Sequence, residues 1–269
     1  MNMFIIDNEL FVRLGFFFGV FFAMATWEII SPRRSLNQSK SIRWFHNLTV
    51  TALNSILVRF IFPTAAVGIA LLSTERRWGL FNNLRIPQLT SGVLAILILD
   101  LAIYIQHALF HKISVFWRLH RMHHTDLDVD VTTGTRFHPI EIILSMAIKM
   151  LVVVIIGAPV WSVVAFEVLL NATSMFNHSN VFINRRIDRI LRLFVVTPDM
   201  HRVHHSVIII ETDSNFGFNL PWWDRIFHTY RDQPVSGHTS MPLGLANYRD
   251  KKWLTLPWML MVPFSNKER

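Results

Sequence analysis

Thirteen histidines stand among 269 residues, and most of them are clustered. His107 and His111 close the run Asp100-Leu-Ala-Ile-Tyr104-Ile-Gln-His107-Ala-Leu-Phe-His111. A spacing of four puts both rings on one helical face, a turn apart, and Tyr104 and Asp100 extend the same stripe. His120-Arg-Met-His123-His124 follows, and the pattern recurs as His201-Arg-Val-His204-His205. Positions i, i+3 and i+4 converge, so each box presents three imidazoles to one locus. His178, in Asn177-His178-Ser179-Asn180, and His138, in His138-Pro139-Ile140-Glu141, sit at the ends of apolar stretches. Either could complete a coordination sphere. His46, His228 and His238 lack partners at ligand spacing and read as hydrogen-bonding residues. Arg121 and Arg202, inside the boxes, are expected to pair with acids or phosphates.

Eight imidazoles in the three boxes exceed what one metal takes, whereas two metals with four or five nitrogens each account for them. Imidazole suits zinc, copper, iron and nickel. A closed tetrahedral zinc site needs only four ligands and often draws on Cys; Cys is absent, which also removes iron–sulfur clusters and cysteine nucleophiles. Two adjacent iron ions with open positions are what oxygen activation requires. Zinc outranks Fe(II) for such ligands and can take their place in purified material. Asp100, Tyr104, Glu141 and Asp199 are the neighbours expected to orient the rings through the nitrogen that does not bind metal.

The elements that carry these boxes are written in the composition. Apolar residues make up 52% and charged residues 16%, where an ordinary soluble domain is about one-quarter charged. Mean hydropathy is +0.36, and 22 Phe and 9 Trp suit a chain whose solvent is partly hydrocarbon. Intrinsic disorder and a disulfide-stapled scaffold are both excluded. The net charge of +8 sits beside long apolar runs, so it points to anionic headgroups and topology control rather than nucleic acid. Residues 14–30, 50–72 and 86–110 each approach spanning length. Residues 140–175 are broken by Gly157-Ala158-Pro159 and predict a helical hairpin. Loop 31–48 holds Arg33, Arg34, Lys40 and Arg43 and no acid, which assigns it to the cytoplasm. Counting crossings brings 111–139 and 176–269 to the same side. Residues 187–196 predict an amphipathic helix at headgroup level, and 253–264 a short interfacial stretch. The reading is an all-α integral membrane bundle of about four spanning helices with a cytosolic-side helical cap carrying a di-metal site. One membrane-embedded domain is expected over 1–269, with its motifs in roughly 90–235.

The order H-x3-H, H-R-x-H-H, H-P-x-E, N-H, H-R-x-H-H resembles the fatty acid hydroxylase and sterol desaturase superfamily of integral-membrane di-iron enzymes. Downstream, Asn215-Phe216-Gly217 and Trp222-Trp-Asp224-Arg-Ile-Phe-His228-Thr229 resemble that family's trailing N-x-G and W-D-R-x-F-G-T elements, with His228 where the family usually shows Gly. The resemblance implies a helical anchor whose cap holds two irons through these histidines. It also implies O2-dependent hydroxylation or desaturation of a lipid C–H bond, on a sterol, fatty acyl or sphingolipid chain, for example. Such a bond demands an oxidant that side chains cannot supply. No dinucleotide or flavin fingerprint is visible, so electrons are expected from a separate redox protein or a reduced pterin. The expected setting is a bacterial inner membrane or an ER-type membrane. A rival reading, a histidine-rich metal transporter or sensor, predicts polar residues along several spans, whereas these histidines collect at one end.

Overall fold

The computed structural model describes residues 8–267, and among them no strand forms beyond two isolated bridges, Pro32 with Val181 and Ser206 with Leu243. Helix α1 (Glu9–Ile30) ends at Ser31-Pro32. The next, α2 (Lys40–Ile61), starts where Ser39 Oγ accepts from Ile42 N at 3.4 Å and stops before Pro63, whose ring restricts the preceding residue and removes a donor. Then come α3 (Ala65–Glu75), the single turn α4 (Leu80–Asn83), α5 (Gln88–Lys112) and α6 (Ser114–His124). Helix α7 (Pro139–Ile156) closes on Gly157 at φ +65°, and α8 (Val160–His178) restarts after Pro159. A Cβ at Gly157 would meet Trp78 O at 2.7 Å, so both the turn and the close approach demand glycine. Short helices complete the chain: α9 (Arg185–Leu191), α10 (Pro198–His204), α11 (Ile209–Thr212), α12 (Trp222–Ile226) and α13 (Leu256–Met261).

Among the described residues, five helical stretches are long and apolar enough to cross a membrane: Glu9–Ile30, Lys40–Asn83, Gln88–Lys112, Pro139–Ile156 and Val160–His178. The expected hairpin supplies the last two. Phe11, Phe22, Ile29 and Phe60 lie exposed on the outer faces of the first two stretches, as lipid-facing residues do. The core joining α3, α5, α7 and α8 is rich in small residues, Ala66, Ala70 and Ala95 beside Val153, Val163 and Phe166, which let helices approach without a hydrophobic drive from the lipid. Gly92 allows the closest approach: a Cβ there would lie 1.9 Å from the Trp161 ring.

At one end of the bundle the segment 125–137 is held by buried charge. Arg43 on α2, fully buried, donates from Nε to Asp126 Oδ1 at 2.7 Å and from Nη1 to Asp130 Oδ2 at 2.6 Å. Burial works against the Asp126 carboxylate, yet the guanidinium beside it holds its pKa below the usual range. Glu28 of α1 accepts from Val131 N at 2.7 Å and Asn180 N at 2.8 Å, so one carboxylate ties α1 to the loops after α6 and α8. Arg121 differs from expectation. It takes no acid among the described residues but donates to four carbonyls of the C-terminal segment, Val262, Pro263, Ser265 and Lys267. That segment is correspondingly docked, with Trp253, Met259 and Val262 buried against Trp117 and Met122, while Trp258 and Phe264 stay exposed. Ile187, Ile190 and Phe194 are exposed on and just beyond α9 beside its arginines, as an amphipathic surface helix requires.

Candidate metal centre

Helix geometry delivers the histidines from four places to one buried locus. His107 and His111 end α5, His120, His123 and His124 end α6, His178 ends α8, and His201, His204 and His205 end α10. They fall into two groups. His107, His111, His120, His124 and His204 form one, and His123, His178, His201 and His205 the other; within each, one donor atom per residue lies within 4.8 Å of every other. The groups abut, with the rings of His124 and His205 centred 4.6 Å apart.

Ring orientation follows from the outward nitrogens. His107 Nδ1 donates to Phe216 O at 2.7 Å, His123 Nδ1 to Arg136 O at 3.1 Å, His178 Nδ1 to Ser174 O at 2.7 Å and His204 Nδ1 to Ser214 O at 2.8 Å. His120 Nδ1 donates to Glu141 Oε1 at 2.7 Å. A carbonyl or carboxylate acceptor fixes the Nδ1–H tautomer and leaves a lone pair on Nε2. Those lone pairs confront one another: His107 Nε2 lies 3.1 Å from His120 Nε2, and His123 Nε2 lies 3.0 Å from His178 Nε2. Lone pair against lone pair is repulsive unless a cation faces both. Nitrogens bound at about 2.1 Å to one ion and at right angles would sit about 3.0 Å apart. His204 Nε2 and both ring nitrogens of His124 and of His205 are buried without hydrogen-bond partners, a deficit that a metal removes at one nitrogen of each ring. The residues present therefore fit two metal ions.

Protonation agrees. Burial pushes the His120 imidazole down to about 3, and burial followed by neighbouring rings holds His123, His124, His201, His204 and His205 well below the ordinary value. Neutral imidazole is the metal-binding form.

Not every predicted residue joins. His138 belongs to neither group: its Nδ1 caps α7 by accepting from Ile140 N at 3.2 Å, and its Nε2 donates to Leu260 O at 3.3 Å. Both nitrogens are spent on backbone, which is why the H-P-x-E element supplies Glu141 to the site rather than its histidine. Of the four expected neighbours, Glu141 alone has a direct bond to a box histidine. Asp100 accepts from Trp223 Nε1 at 2.8 Å and Leu220 N at 3.3 Å. Tyr104 bonds Thr229 Oγ1 at 2.8 Å and packs on Phe216, one layer behind His107. Asp199 pairs with Arg202, as expected of that arginine, and with Arg33 at 2.9 Å. His46, His228 and His238 stand outside both groups.

The sequence reading missed Asp213, whose Oδ1 lies 3.3 Å from His111 Nδ1. It also missed what the trailing motifs do. Asp224 accepts from Phe216 N at 2.8 Å, Gly217 N at 2.9 Å and Thr229 Oγ1 at 2.7 Å, and so holds the backbone whose carbonyl orients His107. Burial pushes the Asp224 carboxyl up to about 6 despite those donors. Asn215 Nδ2 donates to Met200 O and Arg231 O, bracing α10. His228 adopts φ +58°, the left-handed region in which glycine is least strained.

A cavity of about 700 Å³ opens beside the first group, with His107, His120 and Glu141 in its wall. It is walled by α1, α2, α5, α7 and α8 and bordered at its outer edge by exposed Leu14, Phe18, Ala52 and Ser55, so it meets the lipid side of the bundle between α1 and α2.

Residues 92–229 match the fatty acid hydroxylase family. Over 252 residues the chain is 29% identical to the ornithine lipid hydroxylase OlsE of Rhizobium tropici, covering 91% of this chain and 73% of that protein. It is 29% identical over 137 residues to the alkylglycerol monooxygenase of Homo sapiens, covering 51% of this chain and 29% of that one. Against the alkylglycerol monooxygenase of Xenopus tropicalis the identity is 29% over 183 residues, covering 67% of this chain and 40% of the relative. The chain thus spans less than half the length of either alkylglycerol monooxygenase. No solved structure matches it.

Proposed function

Because the chain belongs to the fatty acid hydroxylase family, we propose that it is a membrane lipid oxygenase that uses O2 and external electrons to hydroxylate a C–H bond of a lipid. The observation that carries this reading is the pair of buried imidazole groups beside a cavity open toward lipid. Both kinds of relative are, by name, hydroxylases or monooxygenases, which favours hydroxylation over desaturation. OlsE is by name an ornithine lipid hydroxylase, and an amphiphile of that general kind is the substrate class proposed.

His107, His111, His120, His124 and His204 would hold one iron, and His123, His178, His201 and His205 the other. Bound there, iron supplies the O2-derived oxidising power that an unactivated C–H bond requires and that side chains lack. The chain's own groups do the positioning. Glu141 and four backbone carbonyls hold the rings in one tautomer and one orientation. Phe110, Phe137 and Phe218 line the cavity beside His107 and His120, holding an alkyl segment there and excluding water. Electrons come from a separate redox protein or a reduced pterin. The basic segment 31–43, which runs into the start of α2, sits at the metal end of the bundle, with Arg33 on Asp199 and Arg43 on Asp126, which supports a cytoplasmic active site. Residues 1–269 are read as one membrane-embedded domain.

The test is turnover under labelled O2 of protein reconstituted anaerobically with Fe(II), since zinc competes for these ligands. The expected product is heavier by one labelled oxygen atom. A product whose added oxygen carries no label refutes the oxygenase reading.

A further inference from the structure

The cavity has a second polar end. Glu167 on α8, 2% exposed, accepts from Lys149 Nζ of α7 at 2.7 Å and pairs with Arg13 of α1. All three line the cavity. Arg13 is shared with a second carboxylate, Glu9, at 2.8 Å, whereas Lys149 has Glu167 alone as its partner among the described residues. An ammonium carries three donors, so Lys149 keeps donor capacity inside a membrane-spanning segment, where ionisable groups are costly and usually functional.

The path between the two ends is built at helical spacing. Glu141, Ser145 and Lys149 follow at steps of four along α7, and Glu167, Asn171 and Ser174 run along α8 toward His178; these first six all line the cavity. At the helical rise, Glu141 to Lys149 spans about 12 Å and His178 to Glu167 about 16 Å. Between the ends the wall is chiefly apolar, with Phe17, Ile103, Phe110, Ile142, Met146 and Leu170. An apolar sleeve with a metal group at one end and spare cationic donors at the other is the complement of an amphiphile whose reacting carbon is remote from its charged group.

We propose that Lys149, held in place by Glu167, which Arg13 in turn ties to α1, binds an anionic oxyacid group of the substrate, a carboxylate or a phosphate. With C–C bonds of about 1.5 Å advancing roughly 1.25 Å per carbon along an extended chain, the reacting carbon sits about ten to thirteen carbons away. The reverse orientation, with the polar group at the histidines, would press a methyl end against Lys149 and leave its donors unmatched. This inference rests on the oxygenase reading for the identity of the reacting end, but the anchor itself is tested by binding alone.

The experiment is equilibrium binding, without O2, of dodecanoate, dodecyl phosphate and dodecanol to the metal-loaded protein in nanodiscs. At least one anion is expected to bind roughly tenfold more tightly than dodecanol, the gain of a charge-assisted hydrogen bond over a neutral one. The tighter anion tells a free acid from a phosphate-bearing lipid. Lys149→Met abolishes the preference and Lys149→Arg retains it, each with metal content unchanged. Equal binding of all three by the unaltered protein, or a preference that survives in Lys149→Met, overturns the proposal without any appeal to folding of a variant. Turnover of hexadecanoate under labelled O2 is expected to place oxygen on the distal half of the chain, and oxygen beside the carboxylate also overturns it. Intact anion preference with no oxygen inserted supports the anchor and counts against the oxygenase reading instead.

Discussion

Glu141 offers the sharpest test of how this site is organised. Its Oε1 accepts from His120 Nδ1 at 2.7 Å with both groups buried, and His120 belongs to the first histidine group only. Replacing Glu141 by Ala removes a charge-assisted bond, frees the ring to turn and lowers the basicity of Nε2. Losses of this kind cost about 10–100-fold in metal affinity, or about 1.4–2.7 kcal/mol at 1.36 kcal/mol per decade. Glu141→Gln keeps an acceptor without the charge, and charged acceptors bind about twice as strongly as neutral ones, so it belongs near the tenfold end. The second group receives nothing from Glu141. Titration with a graded chelator, followed by elemental analysis, is therefore expected to show one metal per chain leaving early and the other leaving as in the unaltered protein. Affinity within twofold of the unaltered protein, or equal weakening of both ions, would refute the idea of two groups with separate supports.

His138→Ala is expected to leave metal content unchanged and to cost about 0.5–2 kcal/mol of stability, the loss of a helix N-cap; thermal unfolding with parallel metal analysis checks it, and loss of a metal would restore His138 as a ligand. Gly217→Ala places a Cβ 2.8 Å from Asp224 Oδ2 and 2.9 Å from Leu220 O, so it is expected to dislodge the Phe216 carbonyl that orients His107 and to lower affinity at the first group before the second. Arg43→Met strands Asp126 and Asp130 without their buried cation, a loss of about 3–5 kcal/mol, and should appear as failure to recover monodisperse protein; recovery with an unchanged melting temperature speaks against this account. Acid should unfold the chelated protein first. The unfolded chain takes up protons at an ordinary histidine pKa of 6.5, whereas folded His120 resists until about 3, so the unfolded state binds more protons and stability falls as pH drops below 6.5. Each such residue contributes about 1.4 kcal/mol per pH unit across that window. Bound metal opposes the protonation, so identical acid midpoints with and without metal would contradict the argument.

Much of this was legible in one dimension. The spacings His107/His111, His120/His123/His124 and His201/His204/His205 each define a helical face, and a face is a local property set by 3.6 residues per turn. Gly157-Ala158-Pro159 marked the hairpin because a left-handed glycine and a proline act on their own backbone. Hydrophobic length located the spanning stretches for the same reason, although the second starts at Lys40 rather than at 50 and breaks before Pro63. The stripes Glu141/Ser145/Lys149 and Glu167/Asn171/Ser174 were equally readable at that spacing, but nothing in either helix alone says that they face one cavity.

What only the tertiary structure decided is everything that depends on a partner distant in the chain. The division of nine rings into two groups separates His123 from its neighbours His120 and His124, a split no spacing rule contains. His138 and His178 occupy comparable positions at helix ends, yet one caps a helix and the other meets His123 Nε2 at 3.0 Å; the ring's fate depends on which backbone lies within reach. Asp213, Asp224 and the Phe216 carbonyl entered the site because loops folded back onto α5. Residue type states which bonds a group can make, and helical period states its direction. Which acceptor stands there is settled when buried polar groups from separate segments must satisfy one another away from water.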